Sequence, residues 1–153
     1  MSELKTDLND RIESDHQALH GTMKELEKTF SVVPKPAEFA NWKLDLLWQL
    51  RDFNNQLQKH FDLEESTDYN IEISRVAPHL LRRIEHLEED HLKIISDLSH
   101  ILGVLKRIDH IESGNIERVK ARVDGLISFL RKHEAAEREV MQEAYYQDYG
   151  GGD

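Results

Sequence analysis

The sequence predicts an all-α protein, an antiparallel up-down four-helix bundle over residues 1–149 as one domain, with a flexible tail at 150–153. Three observations lead there. Four stretches carry apolar residues at alternating spacings of three and four, the period of one helix face. The few chain breakers fall between those stretches: Pro34 and Pro36, Pro78, Gly114, then Gly150 to Gly152. The chain also repeats itself, which is a direct cue to architecture.

The first stretch, about Leu4 to Phe30, places Leu8, Ile12, His16, Leu19, Met23, Leu26 and Phe30 on one face. The second, about Glu38 to Ser66, does the same with Leu46, Leu50, Phe53, Leu57, His60 and Glu64. Residues Thr67 to Ala77 form a connection whose Ile71, Ile73 and Val76 predict packing against the core, and Pro78 suits the first turn of a following helix. The third helix has the cleanest stripe, Ile84, Leu87, His91, Ile94, Leu98, Ile101, Leu105 and Ile108, and stops before Ser113-Gly114-Asn115. The fourth follows Ile116, Val119, Val123, Leu126, Leu130, His133, Glu137, Val140 and Ala144. Four long helices with short links and one apolar face each pack as an up-down bundle.

Composition sets outer limits on function. The chain is long enough, at 153 residues, for a single core, and 33% charged with 39% hydrophobic residues is ordinary for a folded helical domain. A formal charge of −10 argues against nucleic acid or an anionic membrane as partner, because both require clustered Lys and Arg. With no cysteine there is no disulfide, iron–sulfur cluster or thiolate zinc site. No apolar run approaches the roughly 20 residues that span a bilayer, and the charged start MSELKTDLNDR leads into no signal-peptide core. A cytoplasmic location is the expectation.

The repeat carries the chemistry. Leu57-Gln58-Lys59-His60-Phe61-Asp62-Leu63-Glu64 and Leu130-Arg131-Lys132-His133-Glu134-Ala135-Ala136-Glu137 both read L-x-K-H-x-x-x-E. On a helix, His and Glu four apart lie one turn from each other on one face and aim at a common point. Upstream, Ile12-Glu13-Ser14-Asp15-His16 matches Leu87-Glu88-Glu89-Asp90-His91, and the next seam histidine follows after 44 and 42 residues. Four histidines and two glutamates therefore interrupt four apolar seams in two equivalent sets. Burying ionisable groups uncompensated costs several kcal/mol each, so a lone histidine satisfied by a hydrogen bond is an adequate account of one of them but not of all six. Nitrogen and oxygen donors with two carboxylates able to bridge suit two iron ions first and manganese second. Structural zinc prefers a closed tetrahedral site, and calcium or magnesium prefers oxygen donors.

The order H, H-x-x-x-E, H, H-x-x-x-E over Ile12 to Met141 resembles the hemerythrin-like, or HHE cation-binding, family. The resemblance implies a four-helix bundle with a non-haem di-iron centre ligated by His16, His60, His91 and His133 and bridged by Glu64 and Glu137. Oxygen-carrying hemerythrins place a further His where this chain has Leu87, and an Asp in the bridging slot of the last helix at slightly longer spacing than Glu137 has from His133. Reversible oxygen carriage is therefore not implied. Four imidazoles, two bridging carboxylates and one bridging oxygen would leave two positions open on a pair of six-coordinate ions, enough for O2, NO or peroxide.

Two functions follow as expectations. One is a di-iron protein that binds or responds to O2, NO or peroxide, or handles iron, with a separate protein partner if it signals. The other is a di-iron oxidoreductase that reduces NO or peroxide, or donates iron in cluster repair. A ferritin-like oxidase built on Glu13-x-x-His16 and Glu88-x-x-His91 leaves His60 and His133 unexplained and ranks last, beside a purely structural bundle that docks a partner by its acidic face. His20, one turn after His16, is either a fifth nitrogen or a group behind the ligands. Glu13, Glu88 and Glu134 either reach the metals or ligating imidazoles, or belong to a solvated face. Glu65 and Glu139 read as surface acids. His79, His86, His100 and His110 read as surface or flanking residues.

Overall fold

The computed structural model describes residues 2–66, 69–112 and 114–150, with side-chain environments over 10–65, 71–73, 75–112 and 114–144. The expectation of a flexible tail falls largely outside these residues, since only Gly150 of 150–153 is described, as the end of a helix. Every regular element among the described residues is helical: α1 (Ser2–Phe30), α2 (Phe39–Ser66), α3 (Tyr69–Val76), α4 (Leu81–Arg107) and α5 (Asn115–Gly150), with single 3-10 turns at Pro36–Glu38 and Pro78–Leu80.

The four long helices close a ring of contacts: α1 packs on α2, α2 on α4, α4 on α5, and α5 on α1. Cross-helix pairs give the directions. Thr22 meets Gln56 and Thr29 meets Gln49, so α2 runs down as α1 runs up. Lys43 reaches the carbonyls of Lys106 and Ile108 while Glu65 meets His91, so α4 opposes α2. Arg83 meets Glu143 and Asp90 meets His133, so α5 opposes α4. Arg131 meets Glu27 and Glu134 meets His20, so α5 also opposes α1.

Chain breakers act where the sequence places them. The α1–α2 turn holds both prolines, and Trp42 Nε1 donates to the Thr29 carbonyl, satisfying one of the orphan carbonyls at the end of α1. Gly114 adopts φ +80, a left-handed conformation that costs a side chain free energy, so the chain can turn from α4 into α5. There the Glu112 amide donates to Asn115 Oδ1, and Asn115 Nδ2 donates to the His110 carbonyl, fixing the loop onto the start of α5.

The Thr67 to Ala77 connection turns out to contain a helix, α3. Packing decides this: Ile73 is buried and Val76 half-buried, but Ile71, expected to pack as well, faces solvent. In an eight-residue helix only about two turns exist, so one face can touch the core and the neighbouring isoleucine points away.

The core is divided into two apolar clusters. The larger one runs from Leu19 to Phe30 on α1, Leu46 to Phe61 on α2, Ile94 to Leu105 on α4 and Val119 to Leu130 on α5. The smaller one joins Ile12, Ile84, Val140 and Ala144 to Ile73 of α3, with Ala77 and Leu80 beyond it. In α1, α4 and α5 the seam histidines fall between the two clusters, and α3 closes the smaller cluster from the side where α2 ends.

Candidate metal centre

All six seam residues are buried: His16, His60, Glu64, His91, His133 and Glu137. They assemble as two overlapping groups, His16 with His60, Glu64 and Glu137, and His91 with His133, Glu64 and Glu137. Within each group the offered nitrogen and oxygen atoms all lie within 4.8 Å of one another, close enough to hold a metal ion. Glu64 and Glu137 belong to both groups.

The helical spacing does this directly. His60 Nε2 lies 2.5 Å from Glu64 Oε1, one turn on, and His133 Nε2 faces Glu137 Oε1 in the same way. The two glutamates then reach across the bundle. Glu64 Oε2 is 3.2 Å from His91 Nε2, and Glu137 Oε2 is 3.2 Å from His16 Nε2. The rings pack edge to face, His16 with His60 at 4.7 Å and His91 with His133 at 4.9 Å between centroids.

Proximity here is not hydrogen bonding. None of the four Nε2 atoms, nor Glu64 Oε1 or Glu137 Oε1, has a hydrogen-bond partner among the described residues. Their lone pairs converge on shared points. Leaving one buried polar group unsatisfied costs about 1–3 kcal/mol, and here at least six atoms share the condition, so a cation at each convergence point is the compensation the donor set fits.

The outer ring nitrogens reinforce this. His60 Nδ1 donates to Asp15 Oδ2 at 3.2 Å, His133 Nδ1 to Asp90 Oδ2 at 3.1 Å, and His91 Nδ1 to Glu65 Oε1 at 2.9 Å. A carboxylate only accepts, so Nδ1 carries a proton, and whenever the ring is neutral its Nε2 lone pair points inward, as a metal-ligating imidazole requires. Sequence reasoning missed these three acids. Asp15 and Asp90 carried a signal, because each precedes a seam histidine in the repeat, and each serves the histidine of the following helix. Glu65, read as a surface acid, is exposed and still holds His91 through Oε1. The place equivalent to Glu65 in the second repeat is Arg138, which has no acceptor, so the two halves differ there.

Glu13 faces solvent, which removes the first half of the ferritin-like pattern. Glu88 borders a small cavity of about 10 Å3, shared with Glu64, Ile73, Leu87, His91 and Glu137. Glu134 is buried and sits against His20, apart from both metal-holding groups. His79, His86, His100 and His110 are exposed. Phe61 stacks flat on His91, with centroids 3.9 Å apart and 11° between planes, and walls the layer on the side of α2.

The chain matches no family model, no curated protein and no solved structure. The case for the site therefore stands on its geometry.

Without a cation the electrostatics fall on the imidazoles. Burial pulls His60 down, but the Glu64 and Glu137 carboxylates, with Asp15, outweigh it and raise its pKa to about 9. Burial likewise opposes charge on His91, and Glu137, Glu64 and Glu65 raise it to about 10. His133 is raised by Glu137 and Asp90 against the same burial. Burial would raise Glu137, yet the contacts from His133, His16 and His91 hold it well below the usual carboxylate range. The pocket thus holds positive charge more strongly than free imidazoles do, and a metal ion would compete with those protons.

Two outcomes follow. In metal-stripped protein, the raised histidines bind protons that the unfolded chain releases near pH 6.5, so their stabilisation is complete below that pH and disappears as pH rises through about 9 to 10. The lowered Glu137 acts oppositely, its contribution fading as pH falls below about 4.5. Denaturant titrations of chelator-treated protein should give greatest stability between these limits; a rise in stability from pH 7 to pH 10 would contradict the assignment. Separately, Asp90→Ala, Asp15→Ala and Glu65→Ala should each weaken metal binding about 10–100-fold, the usual effect of losing the group that orients a ligating imidazole. Calorimetric titration of Glu139→Ala, an exposed acid of the same helix as Glu137, provides the unchanged reference.

Proposed function

We propose that the protein is a hemerythrin-like four-helix bundle with a non-haem di-iron centre that binds or responds to O2, NO or peroxide, or handles iron. The observation that carries this reading is the sharing of Glu64 and Glu137 between two metal-holding groups. Two carboxylates common to both groups suit a bridged pair better than two independent ions.

In this reading His16 and His60 would hold one ion, His91 and His133 the other, and Glu64 and Glu137 would serve both. All-nitrogen-and-oxygen donors with carboxylate bridges favour iron, with manganese as the second choice. A bound di-iron pair supplies one-electron redox chemistry and open positions for a small molecule. The chain's own residues do the remainder. Asp15, Asp90 and Glu65 lock three rings in the ligating orientation. The apolar clusters on either side keep bulk water away, which strengthens every charge interaction in the layer.

A small cavity lies beside Glu64, Glu137 and His91, and a diatomic or peroxide ligand entering there would have to push its walls apart. Its volume of about 10 Å3 is room for roughly one water molecule. Leu87, Ile73, Ile84 and Val140 give it apolar walls, with Glu88 as a polar neighbour. Leu87 stands where an oxygen-carrying hemerythrin would have a histidine, so this centre has one imidazole fewer than an oxygen carrier and an apolar side chain beside the small-molecule space.

Di-iron oxidoreduction of NO or peroxide, or iron donation, is the second reading. It uses the same residues and differs in turnover. Glu88 at the cavity is the observation that favours it, because a carboxyl group beside the small-molecule site is positioned to exchange a proton with it.

Protein expressed with ample iron should carry two iron ions per chain by elemental analysis. Glu64→Ala and Glu137→Ala should each lose most of the iron or magnetically uncouple what remains. Anaerobic ferrous protein exposed separately to O2, NO and H2O2 should change its optical spectrum with the physiological class of ligand, and repeated cycling distinguishes binding from turnover. Trace iron in the wild type, or two coupled irons retained in both variants, would contradict the proposal.

A further inference from the structure

Glu134 is 1% exposed, and neither of its carboxylate oxygens has a hydrogen-bond partner among the described residues. It is not part of either metal-holding group. Its near neighbour is His20, whose side chain is 41% exposed and whose Nε2 lies 2.7 Å from Glu134 Oε2. His20 is thus its one ion-pair partner among the described residues, and Oε1 is buried with none, which is costly for a carboxylate.

The repeat removes a packing explanation. The residue equivalent to Glu134 in the first copy is Phe61, and the residue equivalent to His20 in the second is Ile95. Phe61 belongs to the larger apolar cluster and Ile95 packs against it. The fold therefore accepts an apolar pair at this level in one half, and the polar pair in the other is an addition.

Its place is informative. Glu134 follows His133 directly and precedes Glu137 by three residues, while His20 follows His16 by four. At 1.5 Å rise per residue, the pair lies roughly 5 Å along the helices from the His16 and Glu137 contact. One side of the pair reaches solvent through His20, and Glu134 on the other side is the residue next to His133 in the chain.

We propose that His20 Nε2 and the Glu134 carboxylate form a capture site for a divalent cation on its way into the buried centre. The proposal rests on the metal-centre reading above. One imidazole and one carboxylate leave most of an ion's coordination to water arriving from the exposed side, so the ion is held loosely and can exchange. Each group of the centre offers four side chains, so an ion there would be held more firmly. The contact with His20 is an ion pair, but it leaves Oε1 of the buried carboxylate without a partner among the described residues, and a cation held between the two side chains would satisfy both. The net charge of −10 draws cations toward the surface, and the pair gives them one place to shed water stepwise.

Cobalt(II) is a suitable probe, because its visible bands report the change from water to protein ligands. Metal-free wild type, His20→Ala, Glu134→Gln and the double variant are mixed with Co2+ in a stopped-flow instrument, and the final stoichiometry is measured by elemental analysis. Both single variants should finish with the same bands and the same two ions as the wild type, but load at least tenfold more slowly, and the double variant should be no slower than the slower single one. Glu27→Gln, which removes an exposed acid of α1 paired with Arg131, should load at the wild-type rate. Loading within twofold of wild type in both single variants overturns the capture site, as does equal slowing in Glu27→Gln. Loss of an ion at equilibrium in Glu134→Gln overturns it differently, by making Glu134 a permanent ligand. His20 is half exposed, so His20→Ala keeps the test available even where Glu134→Gln fails to fold. A wild type that takes up no Co2+ contradicts the metal centre itself, separately from this proposal.

Discussion

Six ionisable side chains share one layer between two apolar clusters, and the need to compensate their burial shapes the rest of the molecule. Imidazole nitrogens and carboxylate oxygens face one another there at hydrogen-bonding distances, and with neutral rings none of the four Nε2 atoms has a hydrogen-bond partner among the described residues. In water each would be solvated; in this layer the compensation has to come from protons or from cations. Protons supply part of it in the metal-free chain, through histidines that stay charged well above their ordinary range. Cations would supply it more completely, since one ion satisfies several converging lone pairs at once. The helices serve that layer. Each delivers its donors from a seam that is otherwise apolar, and α3 closes the smaller cluster where α2 has ended.

Much of this is legible in the sequence because the donors interrupt a strong pattern. His16, His60, His91 and His133 fall at core positions of helices whose period is unambiguous, and the i to i+4 spacing of Glu64 and Glu137 settles their direction. The ring nitrogens' outer partners were harder to read. Asp15 serves His60 across 45 residues and Asp90 serves His133 across 43, contacts that depend on how neighbouring antiparallel helices align rather than on any local period. Glu65 lies off the apolar stripe of α2, which is why it reads as solvated, yet α4 comes close enough for His91 to use it. The short helix α3 was read only as a packed connection, because two turns carry too little periodicity to distinguish a helix from an ordered loop.

The internal repeat is as informative where it fails as where it holds. Asp15 and Asp90 have the same task in both halves, as do the two H-x-x-x-E pairs. Phe61 against Glu134, Ile95 against His20 and Glu65 against Arg138 break the equivalence around the same layer. One half is walled by an aromatic ring stacked on His91, and the other carries a buried carboxylate leading to solvent. A symmetric scaffold thus gives its two His/Glu groups different surroundings, with a small cavity beside the shared carboxylates and a half-exposed His20 against buried Glu134 on the side of α1.

The central claim is that Glu64 and Glu137 hold two ions between them. Anomalous diffraction from crystals of the iron-loaded protein, with data on both sides of the iron absorption edge, tests it most directly. The account predicts two peaks roughly 3.5–4 Å apart, the usual separation of a two-metal site, with both carboxylates contacting both ions and one pair of histidines on each. A single peak, or two peaks that share neither Glu64 nor Glu137, would contradict it.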